Sequence, residues 1–376
     1  MRVLMISKTF VAATYQRKLE EIAKLPEVKL TLVTPSYWQG DDGTKQVLEH
    51  LYTDGYRIIE TPIRLNGNFH LYHYPHLKQI MREVRPEVVH IDDEPYNLAT
   101  YLAMRLAQQH NVPALFVAWQ NLYRNYPPPF RQIERYNYKH TAAAMAGNQD
   151  AADVLRRKGY TGPIQIIPQF GFDADIYKRS TPRVPRQLGD PFTIGFIGRL
   201  KEEKGLPLIV EALTLLPDYC RAIFVGSGPL KTALAEQAER LGIAERVIFK
   251  PAVPTYQVPH EIEQWDVHVL PSITRPNWIE QFGRTLAEAM SCETPVIGSS
   301  SGEIPHVIGD AGLIFKEGDA RELSACIQKL LDGPALYAEL AKRGRKRVLD
   351  TYTQQHIAQQ TYEVYVSMLK GTKINR

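Results

Sequence analysis

Two glutamates, Glu280 and Glu288, are separated by seven residues in the stretch Pro271 to Gly298, and their spacing carries the densest chemical signal in the chain. Around them run Pro271-Ser272, Trp278-Ile279-Glu280-Gln281-Phe282-Gly283-Arg284, Glu288-Ala289-Met290 and Thr294-Pro295-Val296-Ile297-Gly298. Glu280 falls in a loop just before a helical pattern. Glu288 falls on that helix, roughly 12 Å further along. The amides of Phe282, Gly283 and Arg284 between them would be free at a helix N-terminus, where unsatisfied N–H groups and the helix dipole favour an anion such as a diphosphate. Carboxylates at both ends and anion-binding amides in the middle fit a ligand with hydroxyls at its extremities and phosphates between. A nucleotide sugar is such a ligand.

A second cluster lies upstream. The apolar run Phe192 to Ile197 leads into Gly198-Arg199-Leu200-Lys201-Glu202-Glu203-Lys204-Gly205, two glycine-bounded cations at a strand-to-helix turn. Arginine can hold phosphate with two parallel bonds and lysine adds a point charge, so Arg199 and Lys204 could neutralise a diphosphate without a metal. A solvated charged turn is the alternative, and Lys201, Glu202 and Glu203 read that way. The next run, Ala222 to Val225, leads into Gly226-Ser227-Gly228-Pro229, whose glycines allow close backbone approach to a ligand or simply a tight turn.

The elements that must position these residues follow from the hydrophobic pattern. Short runs rich in β-branched residues recur, each followed by a helical pattern. In the first half they are Val3–Ile6, Lys29–Val33, Arg57–Ile59, Val88–Ile91, Ala114–Val117, Ala142–Met145 and Gln165–Ile167. In the second half they are Thr193–Ile197, Ala222–Val225, Val247–Phe249, Val267–Leu270, Val296–Ile297 and Leu313–Phe315. Such alternation predicts parallel sheets covered on both faces, hence two doubly wound α/β domains. A length of 376 residues suits two cores, and 44% apolar residues can fill them. The prolines and charges of Ser180-Thr181-Pro182-Arg183-Val184-Pro185 place the boundary between domains at 1–180 and 181–355. An amphipathic helix, Gln354 to Leu369, closes the chain, and its stretch 356–376 is expected to pack back on the first domain.

Residues 192 to 316 resemble the nucleotide-binding half of a retaining family-four glycosyltransferase of the GT-B type. The resemblance rests on Gly198-Arg199 with Lys204-Gly205, Gly226-Ser227-Gly228-Pro229, Asp266 through Pro271-Ser272, Glu280 with Phe282-Gly283 and Glu288-Ala289-Met290, Thr294-Pro295-Val296, and Ser301-Gly302-Glu303-Ile304-Pro305, in that order. It extends more faintly to Val89-His90, Ile167-Pro168, Gly171-Phe172-Asp173 and the closing helix. It implies a GT-B architecture, two Rossmann-like domains facing across a cleft. It also implies a nucleoside diphosphate sugar donor, UDP- or GDP-linked, and transfer with retention to a hydroxyl acceptor, carbohydrate or lipid-linked. On this reading Glu280, Arg199 and Lys204 are catalytic. Gly198, Gly226, Gly228, Gln281, Phe282, Gly283, Arg284, Thr285 and Glu288 bind the donor, with Glu288 on the ribose. Arg284 either supplements Lys204 or faces solvent. No metal and no cofactor are expected.

The departures are informative. The family often carries a glycine pair after its first strand, where this chain reads Lys8-Thr9-Phe10-Val11-Ala12-Ala13-Thr14. Many members place a histidine where Trp119 stands in Ala118-Trp119-Gln120-Asn121. Gln281 occupies a frequent glycine position, Pro251 another near the nucleobase, and His306 a frequent glutamate position. The acceptor side is read from Asp93, Glu94, Trp119, Gln120 and Asn121. For Asp92-Asp93-Glu94, contact with acceptor hydroxyls and capping of the next helix are both open. His70, His73 and His76 read as a surface loop, with acceptor binding as the alternative. The loop Tyr123 to Arg131 could stack on a sugar, touch a lipid headgroup surface or serve as a rigid connector. Asp173-Ala174-Asp175 spells a metal-binding D-x-D, but it reads as a conformational element of its loop.

Net charge is +4, too weak to argue for nucleic acid and compatible with an anionic ligand or membrane surface. Three scattered cysteines fit reduced buried thiols, and no apolar run is long enough for a transmembrane helix. These features point to a cytoplasmic protein, with peripheral contact at the inner membrane face left open. Three other readings stand beside the transferase: a nucleotide-sugar epimerase, a phosphorylase-like enzyme and a catalytically silent sugar-nucleotide sensor.

Overall fold

The computed structural model describes residues 1–40, 43–169, 171–182 and 190–371, with Thr14 described by its backbone alone. The chain forms two compact units, Met1–Gly171 with Gln354–Arg376, and Phe172–Thr353.

The first unit is built on strands β1 (Arg2–Ile6), β2 (Lys29–Thr34), a hairpin of β3 (Tyr37–Gln39) and β4 (Lys45–Val47), then β5 (Arg57–Glu60), β6 (Val88–Ile91), β7 (Ala114–Ala118), β8 (Ala143–Ala146) and β9 (Ile164–Ile166). All but the hairpin form one sheet in the order β5-β2-β1-β6-β7-β8-β9, every pair parallel. Strands such as β6 and β7 are buried along their whole length because helices cover both faces. One face is closed by Ala13–Ala23 and by the final helix, Gln354–Lys370, which buries Ile357, Ala358, Val364 and Tyr365 in the core under β1, β6 and β7. Tyr365 also bonds His90 on β6 through Nδ1, at 2.6 Å.

The second unit carries β10 (Phe192–Ile197), β11 (Cys220–Val225), β12 (Val247–Lys250), β13 (Val267–Leu270), β14 (Val296–Ser299) and β15 (Leu313–Phe315). They form a parallel sheet in the order β12-β11-β10-β13-β14-β15. Each sheet is therefore doubly wound, with β1 and β10 as first strands. The order reverses between β1 and β6 in one unit and between β10 and β13 in the other. The carboxyl ends of strands at such reversals are where open α/β sheets bind ligands.

The boundary placed at 180–181 moves. Phe172 donates its amide to Tyr352 O, bridges to Thr353 and lays its ring on Phe282, while Tyr177 sits in the second core. Residues 172–180 therefore belong to the second unit, and residues 354 and 355 to the first. Of the stretch that suggested the break, Arg183, Val184 and Pro185 lie outside the described residues.

Candidate active site

In the second unit the reversal point joins the two clusters singled out from sequence. The turn after β10 folds onto the end of β13 because Gly205 adopts a left-handed conformation (φ 63°), and a Cβ there would lie 2.0 Å from Pro271 O. Ile273 N donates to Glu203 O across the same contact. The approach brings Lys204 to Glu280. Lys204 Nζ bonds Glu280 Oε2 at 2.6 Å, and Ser272 Oγ donates to the same oxygen at 2.8 Å. The ammonium also sits 4.9 Å from the Trp278 ring centre. Glu280 is buried and its carbonyl accepts from Glu303 N, so the Ser301–Pro305 segment fixes its backbone. Ser272 and Trp278, which carry no role on sequence grounds, thus hold the Lys204–Glu280 pair.

Past Glu280 the chain turns at Gly283, the left-handed N-cap of the helix Arg284–Ser291, with no side chain capping the helix. That leaves the first amides of the helix available to a ligand. Arg284 Nε bonds Glu288 Oε1 at 2.8 Å, one helical turn on. Glu288 is 5% exposed. Burial raises its carboxyl pKa and the Arg284 guanidinium opposes the rise. Arg284 also lies 5.8 Å from the Phe172 ring centre, and its partner is Glu288.

Not every residue expected at the donor faces it through its side chain. The Phe282 ring packs on Phe172 and Tyr352. Thr285 bonds His268 Nε2 at 3.0 Å, while His268 Nδ1 lies 3.1 Å from Gly195 O. A carbonyl only accepts, so Nδ1 carries the proton and Thr285 donates to Nε2. Burial depresses this imidazole to about 4, and it ties the helix start to the sheet as a neutral group. Gly226 serves backbone packing: a Cβ there would lie 1.9 Å from Gly198 O, and Gly228 presses likewise on Leu200 O. The turn Gly226–Pro229 thus nests in the turn after β10, with Leu200 N donating to Ser227 O. Arg199 and Gln281 are exposed. Arg199 forms no ion pair among the described residues.

In the first unit the reversal point opens a cavity of about 450 Å³ at the ends of β1 and β6. Of the acceptor-side residues, Asp93, Glu94 and Trp119 line it; Gln120 borders it through Tyr126, and Asn121 does not line it. Lys8, His70, Tyr96, Tyr126 and Gln169 also line it; Tyr126 lies in the loop that the sequence offers for sugar stacking, whereas Lys8, Tyr96 and Gln169 have no acceptor reading from sequence. Lys8 stands two residues beyond β1, in the stretch where the family's glycines are expected, and that departure is the sequence signal for it. His70, read as a surface-loop residue, has its ring 5.5 Å from that of Tyr96, and its Nδ1 donates to Asn97 Oδ1.

The three adjacent acids behave differently. Asp92 accepts from Ser7 and Gln169. Asp93 bonds Lys8 Nζ at 2.9 Å and accepts from Tyr72 and Asn97. Glu94 Oε1 accepts two backbone amides, Trp119 N at 2.7 Å and Gln120 N at 2.9 Å, while Oε2 is shielded and has no protein partner. Burial pushes the Glu94 carboxyl up to about 7, with Asp93 adding to the rise and the two amides and Lys158 opposing it. None of the three caps the next helix, Leu98–Gln109, whose N-cap is Asn97.

Elsewhere, Asp173 Oδ1 accepts from Asp175 N, a local turn. No group of three or more histidines, cysteines or acids among the described residues is arranged to hold a metal. Likewise, no described helix is long and apolar enough to cross a membrane.

Two doubly wound units, each with its polar cluster at the strand-order reversal, define a GT-B protein. A family model described as glycosyl transferases group 1 matches residues 178–347, and one described as glycosyltransferase family 4 matches residues 22–170. The chain belongs to this glycosyltransferase family. It is similar to the 2-deoxystreptamine glucosyltransferase of Streptomyces kanamyceticus, 26% identical over 61% of this chain and 62% of that protein. It is also similar to the GDP-mannose-dependent alpha-(1-6)-phosphatidylinositol monomannoside mannosyltransferase of Mycolicibacterium smegmatis, 31% identical over 52% of this chain and 54% of that protein. The matches thus span less than two-thirds of either relative. Among solved structures, Anabaena HepE in complex with UDP shares the fold, with TM-score 0.71 and 18% identity over 98% of this chain and 100% of that one.

Proposed function

We propose that the protein is a retaining glycosyltransferase that moves a hexose from a UDP- or GDP-linked donor to a hydroxyl of a glycan, glycolipid or small molecule. The observation that carries this reading is the convergence of Lys204 and Ser272 on one carboxylate oxygen of Glu280, beside the open N-terminus of the helix that bears Glu288. Lys204 and Glu280 neutralise each other as an ion pair. With donor bound, Lys204 and Arg199 take the diphosphate, Glu280 turns to the sugar hydroxyls, and the Phe282–Arg284 amides complete the anion site. Glu288, braced by Arg284, takes the ribose hydroxyls.

Transfer then proceeds on the face the leaving group vacates. The acceptor oxygen bonds the anomeric carbon as the carbon–oxygen bond to the diphosphate breaks. The electron pair leaves with the diphosphate, held by the two cations, and the acceptor proton passes to the departing phosphate oxygen. No side-chain nucleophile is needed, and positioning with electrostatic stabilisation supplies the rate. Two cations make a metal unnecessary to this scheme, and no other cofactor enters it. Among similar proteins one is named for GDP-mannose and another was solved with UDP, so both bases remain within the proposal. We place the protein in the cytoplasm, with its acceptor free or presented at a membrane surface.

The test is nucleoside diphosphate release from a panel of UDP- and GDP-sugars, with and without acceptors, followed by NMR of the product's anomeric proton. Release with at least one donor, a retained configuration and insensitivity to chelator are expected. Lys204→Ala and Glu280→Ala should each lower turnover roughly 100-fold or more. Inversion, or loss of activity on chelation with recovery on adding Mn²⁺, would overturn the mechanism.

A further inference from the structure

One carboxylate oxygen in the first unit's cavity is left unsatisfied by the protein itself. Glu94 is pinned through Oε1 by two consecutive amides, Trp119 N and Gln120 N, which follow the adjacent strand β7. This fixes the side chain and leaves Oε2 without a partner and shielded from solvent, in a residue that lines the cavity. Desolvated acceptors without a donor are rare and unfavourable, and a ligand hydroxyl corrects the deficit. The cavity wall beside it is aromatic: Tyr96 and Tyr126 pack ring to ring at 4.3 Å, a surface suited to the C–H face of a sugar.

The lysine at the cavity is already committed. Lys8 is held by Asp93 and lies against the rings of Trp38, Phe69 and Tyr72. Arg124 is exposed where it meets the cavity, and Asp92 and Asp93 flank Glu94 on the same loop. A phosphate seated here would face carboxylates whose nearest cation is taken.

We infer that Glu94 Oε2 receives a hydroxyl of the acceptor and that this cavity takes an uncharged polyol in preference to a phosphorylated one. The inference rests on the glycosyltransferase reading and adds to it the class of acceptor and the atom that orients it. Asp93, although adjacent, is a positioning residue whose oxygens are spent on Lys8, Tyr72 and Asn97.

The experiment uses the full chain and whichever nucleotide sugar it hydrolyses. Neutral acceptors (glucose, mannose, myo-inositol, glycerol) are compared with their monophosphates, and products are counted by mass spectrometry. At least one neutral member should be glycosylated with a kcat/KM tenfold or more above its phosphorylated counterpart. Glu94→Gln keeps the amide-accepting oxygen and replaces Oε2 by an NH2 donor. It should raise the acceptor KM tenfold or more and lower the ratio of transfer to donor hydrolysis. Transfer confined to the phosphates, or an unchanged ratio in Glu94→Gln, would overturn the inference. Donor hydrolysis with no neutral acceptor glycosylated sinks it while leaving the glycosyltransferase reading intact. No donor cleavage at all sinks both.

Discussion

Glu94→Gln has a consequence for stability that depends on pH in a direction fixed by the site. In the folded protein burial raises this carboxyl from 4.5 to about 7. A raised acid binds its proton more tightly when folded, so between those values the unfolded chain holds fewer protons and stability falls as pH rises. The wild-type contribution is favourable below the lower value and is lost as pH climbs through the upper one. Between pH 5 and pH 8 the linkage amounts to about 2.5 kcal/mol, taking 1.36 kcal/mol per pKa unit. Glutamine has no such term. The variant carries a fixed penalty for its unpaired NH2 group, about 1–3 kcal/mol, which is the same at both pH values. Thermal unfolding of both proteins at pH 5 and pH 8 isolates the difference, because all other titrations cancel between them. The variant should gain about 2–3 kcal/mol relative to wild type on going to pH 8, an upward Tm shift of roughly 5–10 °C for a unit of this size. A Tm difference that is the same at both pH values would show that Glu94 ionises freely, and the account of its buried, orphaned oxygen would be wrong.

Other expectations are more local. Gly226→Ala drives a methyl into Gly198 O at a positive φ and should cost about 3 kcal/mol or more, whereas Gly242→Ala, at φ 69° with open space, should cost about 1 kcal/mol; equal urea midpoints for the two would refute the nesting of the turns. Arg284→Ala leaves Glu288 buried without its guanidinium, raising that carboxyl further. The loss, about 1–2 kcal/mol given that Arg284 is partly exposed, should be larger at pH 8 than at pH 5, and a pH-independent loss would contradict it. Thr285→Val removes the hydroxyl that His268 Nε2 accepts from and should destabilise by about 1–2 kcal/mol without altering the order of donor preference.

The parallel strands were legible because strands buried on both faces are continuous apolar runs; each of the thirteen strands of the two sheets overlaps a run read from sequence, including the partly exposed edge strands β5, β9 and β12. The hairpin of β3 and β4 was not, since Lys45–Val47 is exposed along its length and shows no alternation to read. The domain boundary slipped because proline and charge mark a linker only locally. Phe172 is claimed by Tyr352 and Thr353, a pairing distant in sequence. Lys204, Glu280 and Glu288 stand out in the sequence since glycines and a helix start bracket them. Phe282 and Thr285 share that motif, yet whether a side chain points to ligand or core depends on Phe172 and His268, which no local pattern announces. The difference between Asp93 and Glu94 was invisible for the same reason. It is decided by amides on the neighbouring strand and by Lys8 at the end of β1.

The claim that most depends on measurement is that Lys204 and Arg199 exist to hold a diphosphate. Calorimetric titration of the protein with UDP and with GDP, free of any sugar, tests it directly, alongside the Arg199→Ala/Lys204→Ala double variant. The account predicts saturable one-to-one binding of at least one nucleotide by the wild type and a loss of affinity of a hundredfold or more in the variant, about 2.7 kcal/mol. Binding of neither nucleotide, or binding that survives removal of both cations, would contradict it.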